Sequence, residues 1–223
     1  MKKLLMIAAF LCGIQNAVAA FIDSGTYLTD TVSSLDWLDV TASVSRSYTD
    51  VSGQVGAGGD FSGWRYATAS EVGSLVFHWT GVTPPEFGSV SVPAKSIDGL
   101  VEALGSTLDA ASLAQFGATW DARNGYAEGN GQDFTYGYVN DTVASTGNRY
   151  ISSLVDDDRP SGGSGDYVWL TKYDSPDSGV IASVGSFLVR STSVPEPATY
   201  TMMLAGLGLL SFSVRRRKQL AAA

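Results

Sequence analysis

Apolar and polar positions alternate through SSLDWLDVTAS, residues 33–43, around Trp37 and Val40, and that period of two predicts a strand. The next segment changes period. Tyr48, Val51 and Val55 fall at i, i+3 and i+7, one face of a short helix that Gly56 and Gly58-Gly59 stop. Trp64 and Tyr66 suit a short strand, and Thr68 with Glu71 then forms a T-x-x-E capping box. Val72, Leu75, Val76 and Trp79 line one face of the helix that follows, with Gly81 just past its end. A third helix is expected to start at Ser96 as its cap and to bury Ile97, Leu100, Val101 and Leu104.

Beyond Gly117 the helical period disappears. Residues 118–124, 134–141, 149–155, 166–173 and 185–191 are short aromatic or β-branched runs separated by Gly, Asn and Asp. Helices first and strands later predict an α+β fold, short helices packed on antiparallel strands. No repeat of fixed period interrupts it, so one domain is expected over residues 21–188, followed by a linker at 189–197.

The two ends carry a different signal. Lys2 and Lys3 precede an apolar run from Leu4 to Ile14, and Ala17-Val18-Ala19 supplies small residues for cleavage. Residues 1–20 therefore read as a secretory signal peptide for signal peptidase and the export machinery, cut after Ala19 or Ala20. At the other end, Ala198 to Val214 is a 17-residue apolar stretch. As a helix it spans only ~26 Å, marginal for a bilayer. Arg215, Arg216, Arg217 and Lys218 open the basic tail, 215–223, and a positive cluster stays on the cytoplasmic side. The body then lies outside the inner membrane, in agreement with the signal peptide.

Charge sharpens the picture of the body. The whole chain has 14 basic and 22 acidic residues, but residues 21–193 hold only 8 of the basic and 21 of the acidic ones, a net charge of −13. Such a surface repels phosphate backbones, which argues against a nucleic-acid partner, and it could recruit divalent cations. Cys12, inside the signal peptide, is the sole cysteine, so the exported chain has neither disulfides nor thiolate chemistry.

Val194-Pro195-Glu196-Pro197 is a stiff, extended stretch immediately before the apolar run. The V-P-E-P motif, the short apolar helix and the arginines together resemble a PEP-CTERM sorting signal. The resemblance implies recognition by exosortase, transient residence of the tail in the membrane, and removal of the tail. It also implies a Gram-negative, exopolysaccharide-making source and a destination at the cell surface or in a biofilm matrix. The body resembles Lcl-type C-terminal domains in Trp37, Asp39, Gly63, Trp64, Arg65, Thr68, Glu71, Trp169 and Arg190. That resemblance implies a C-type-lectin-like fold. Ala67 stands where that family has proline, and the family's cysteines are missing.

Candidate chemistry is sparse. His78 is the only histidine, so any Ser-His-Asp triad would need it; its helical setting favours a structural role. Asp36 and Asp39 read as solvated strand residues, and Arg65 as an ion-pair or stacking residue at the helix start. Asp156, Asp157, Asp158 and Asp166 bracket a Gly/Ser loop, an oxygen-only set that suits calcium. A second loop offers Asp121, Asn124, Glu128, Asn130 and Asp133, without EF-hand spacing. The expected function is non-catalytic: a sorted surface or matrix protein binding exopolysaccharide or another matrix component. The alternatives are a polymer hydrolase using paired carboxylates and a purely structural matrix protein.

Overall fold

The computed structural model describes residues 21–86, 88–93, 96–107, 132–157 and 165–192. The signal peptide, the run at 118–124, the V-P-E-P motif, the span at 198–214 and the basic tail lie outside the described residues. The chain divides into two compact units, 1–191 and 192–223. Among the described residues no helix is long and apolar enough to cross a membrane.

Among the described residues the first unit is α+β, with two five-stranded sheets. In the first sheet, β1 (Phe21–Asp23), β2 (Tyr27–Asp30), β3 (Leu35–Leu38), β10 (Leu188–Ser191) and β4 (Arg65–Tyr66) lie side by side in the order β1-β2-β3-β10-β4, all antiparallel. The second sheet has the order β5-β8-β7-β6-β9, from β5 (Ser89–Ser91), β8 (Tyr167–Ser175), β7 (Arg149–Asp157), β6 (Gln132–Thr142) and β9 (Gly185–Ser186). Its pairs are antiparallel except β6 with β9, which is parallel.

Helices α2 (Ala69–Thr80) and α3 (Asp98–Leu104) share one core with both sheets. Val72, Leu75 and Val76 of α2 and Leu100, Val101 and Leu104 of α3 are buried there with Leu28, Trp37 and Val189 of the first sheet and Val139, Leu154, Val168 and Leu170 of the second. The other face of the second sheet builds a second core, in which Phe134, Tyr136 and Tyr138 join Ile151, Val155 and Tyr167. Helix α1 (Tyr48–Gln54) covers part of it with Tyr48 and Val51, and Val55 packs at the rim. With both faces buried, β6 has an unbroken run of buried residues instead of the alternation of a half-solvated strand.

Local chemistry sets most element ends. The capping box is complete: Thr68 accepts from the Glu71 N–H and Glu71 accepts from the Thr68 N–H, while Gly81 closes α2 in the left-handed region at φ 75°. Three expectations need correction. The strand around Trp37 stops at Leu38, because Asp39 Oδ1 accepts from the Thr41 N–H at 2.8 Å and turns Val40–Ser43 into a 3-10 helix. Ser96 does not cap α3; the helix begins after Ile97, whose N–H is taken at 3.3 Å by the Asp166 carboxylate from the start of β8. The expected linker start at 189 falls inside β10, and the compact unit runs on to Ser191. Gly185 must be glycine where β9 crosses the 3-10 helix, since a Cβ there would sit 2.2 Å from the Val40 carbonyl oxygen.

Candidate functional site

Calcium was expected on the loop after β7, and the fold gathers part of that set. Asp156 stands near the end of β7, and Asp166 just precedes β8. Asp98, the first residue of α3, joins them, so that one carboxylate oxygen from each lies within 4.8 Å of the other two. Asp166 is fully buried, and Asp98 Oδ1 is a buried oxygen with no hydrogen-bond partner among the described residues. Asp157 ends β7, but its side chain and the whole of Asp158 lie outside the described residues. Of the second loop only Asp133 is described, and it is the cross-strand partner of Asp156 on β6. Three carboxylates at this spacing repel one another unless a cation or protons share them, and oxygen ligands from a helix and two strand ends suit a hard cation. Sequence reasoning missed Asp98, which lies far from the Gly/Ser loop in the chain.

A groove of about 690 Å³ opens between α2 and the second sheet. Ser70, Ser74 and Phe77 line its helix wall, Asn140, Asp141, Tyr150 and Thr171 its sheet wall, and Glu86 its rim. Phe77 is 47 % exposed although it sits on an otherwise well-packed helix. It was not singled out in the sequence, because it falls outside the apolar stripe of Val72, Leu75, Val76 and Trp79. Gly73 forms part of the groove; a Cβ there would come 3.0 Å from Leu170 Cδ1. Asn140 and Asp141 are held in place. Asn140 Oδ1 accepts from the Tyr48 hydroxyl at 3.0 Å, and Asp141 Oδ2 accepts from the Ala69 N–H at 2.6 Å, binding the N-terminus of α2. Among the described residues no lysine or arginine lines the groove.

The remaining polar candidates are tied into the framework. His78 Nδ1 lies 2.6 Å from Asp30 Oδ2, and Asp30 also accepts from the Val32 N–H and the Ser33 hydroxyl. Asp36 was expected to be solvated but is buried; it accepts from Thr29 Oγ1 at 2.7 Å and Arg190 Nε at 2.9 Å. Arg190 in turn lies over the rings of Tyr27 and Trp64, at 4.8 and 4.4 Å. Arg65 does pair with Glu71, donating to both carboxylate oxygens at 2.9 and 2.6 Å, but from an exposed position. That hydrogen bonding holds the Glu71 carboxyl below the usual range, against the opposing effect of partial burial and with help from the Thr68 N–H. Burial pushes the Tyr66 hydroxyl well above the ordinary phenol value, only partly offset by Ser186.

Residues 193–218 match the PEP-CTERM protein-sorting motif. The motif makes this an exported protein that exosortase processes, with a cell-surface or extracellular destination. No curated protein and no solved structure matches the chain.

Proposed function

We propose that the body is a non-catalytic module that binds polysaccharide at the groove between α2 and the second sheet, once the sorted protein has reached the surface or matrix. The observation that carries this reading is Phe77, an exposed ring beside a wall of hydroxyl, amide and carboxylate groups. Sugar rings stack their C–H faces on aromatic side chains while their hydroxyls exchange hydrogen bonds with Asn, Asp, Ser and Thr. A described wall that carries Asp141 and Glu86 favours neutral sugar units over uronic acids. Asp141 is engaged at the helix start, which speaks for binding over the alternative of hydrolysis. Calcium at Asp98, Asp156 and Asp166 would act as a structural cofactor. The C-type-lectin-like relationship stays part of this proposal and rests on the sequence resemblance alone.

The test is retardation of the processed protein in gels containing the producer's exopolysaccharide. Phe77→Ala should weaken binding about tenfold, the loss of ~1.4 kcal/mol of stacking, with the melting temperature nearly unchanged. Equal retardation of the two proteins would contradict the groove assignment. Release of new reducing ends during the assay would favour the hydrolase.

A further inference from the structure

The two ends of the described body, one beside the expected signal-peptide cut and one leading to the sorting motif, lie at one end of the first sheet. Phe21, the first residue after a cut at Ala20, pairs with Asp30; Asp30 pairs with Leu35, and Leu35 pairs with Ser191. The four residues form one row across β1, β2, β3 and β10. Strands lie ~4.8 Å apart, so Phe21 and Ser191 are separated by three spacings, ~14 Å. Direction matters as much as distance. β1 starts at this row and β10 ends at it, so the signal peptide and the sorting segment join the sheet at the same end. The turn between β2 and β3 lies there too.

This end is rigid. The Asp30 carboxylate takes the Val32 N–H at 2.9 Å and the Ser33 hydroxyl at 2.6 Å, and it meets His78 from the last turn of α2. The Phe21 ring lies 4.6 Å from that of Trp79, so the chain is anchored from its first strand residue. The turn presents Val32, an apolar side chain 45 % exposed. Only Thr192, Ser193 and Val194 separate Ser191 from Pro195, which as extended chain reach ~10–14 Å.

From this geometry we infer that the β2–β3 turn end of the first sheet is the surface that meets exosortase during sorting. A linker this short gives a folded body no room to stand away from an enzyme that grips Pro195-Glu196-Pro197. The body must bring this end, with Val32 foremost, against the enzyme's outer face. The groove beside α2 is not part of this surface: none of its lining residues belongs to β1, β2, β3, β10 or the turn. The inference stands independently of what the groove binds.

The experiment inserts a small folded domain between Val32 and Ser33 of the full precursor in the producing cell. A matched insertion goes between Gly179 and Val180, a loop with Val180 63 % exposed that lies on the chain before β9 and β10. Intact mass reads both ends: loss of residues 1–20 reports export, and loss of the tail reports sorting. The turn insertion should leave export intact and lower tail removal about tenfold. The loop insertion should be processed like the parent chain. A long Gly/Ser linker placed after Thr192 should restore tail removal to the turn-inserted protein, because it lets the body move away. Normal tail removal with the native linker would overturn the inference. So would a block that the long linker fails to relieve. Should the turn insertion unfold the body, Val32→Cys carrying a bulky thiol label repeats the test on a native fold, since the exported chain has no other cysteine.

Discussion

Two groups of acidic residues sit within one small domain and differ in how far their own side chains crowd one another. At the turn end of the first sheet, Asp30 and Asp36 are buried, and each is surrounded by donors from its own chain: backbone N–H groups, the Ser33 and Thr29 hydroxyls, His78 and Arg190. Where α3 meets β7 and β8, Asp98, Asp156 and Asp166 turn carboxylate oxygens toward one another within 4.8 Å. Burying a carboxylate is costly unless something offsets the charge. The first group is complete from the sequence outward. In the second, Asp166 takes the Ile97 N–H, Asp98 Oδ1 has no hydrogen-bond partner among the described residues, and one oxygen of each carboxylate faces the other two.

Removing a partner from the first group should expose the cost of a buried carboxylate. Arg190→Ala strips Asp36 of its charged donor and empties the space between the Tyr27 and Trp64 rings. The expected loss is about 3 kcal/mol, seen as a lower midpoint in urea unfolding at unchanged slope. If Arg190→Ala unfolds like the parent protein, the Asp36 pair contributes nothing and the contrast fails on its stronger side. Thr68→Ala removes an acceptor in place of a donor. It leaves the Glu71 N–H unsatisfied at the start of α2 and should cost about 1 kcal/mol in the same assay.

The smallest effect concerns Glu71. Arg65 and Thr68 lower its folded-state pKa below that of the unfolded chain. A depressed carboxyl contributes stability that is present above its unfolded value, near ~4.3, and that disappears as pH falls through the folded value. Because the pair is exposed on the Arg65 side, screening keeps the contribution under about 1 kcal/mol. Glu71→Gln should therefore flatten the stability profile below about pH 4, and 0.5 M salt should weaken the parent's own dependence. A parallel profile for parent and variant would take Glu71 out of the acid response.

What the sequence disclosed follows the range of the interactions. The Thr68–Glu71 box, the Gly81 stop and the buried stripe of α2 depend on neighbours within one or two turns, and all were legible. So were the strands at 134–141, 149–155, 166–173 and 185–191, from their aromatic and β-branched runs. Val40 was assigned to a strand because its apolar side chain fits the alternation, while Asp39 had a closer use for its oxygen. Ser96 looked like a cap by residue type, but α3 starts after Ile97, whose N–H goes to Asp166, a residue 69 positions away. Two of the three carboxylates of the acidic site were legible for the same reason: Asp156 and Asp166 flank one loop, whereas Asp98 arrives only when α3 packs on the second sheet. Asp36 looked solvated because nothing local announces that Arg190 will pair with it across β3 and β10.

The central contrast is tested most directly by thermal unfolding of the processed protein in calcium and in chelator. Calcium bound only by the folded state, at 100 times its dissociation constant, adds ~2.7 kcal/mol. The midpoint should rise accordingly in the parent protein, and Asp98→Asn should abolish the rise. The same variant should melt above the parent in chelator, since it removes one of three mutually repelling charges. Superimposable curves for the parent in calcium and in chelator, with Asp98→Asn no more stable than the parent, would contradict the account.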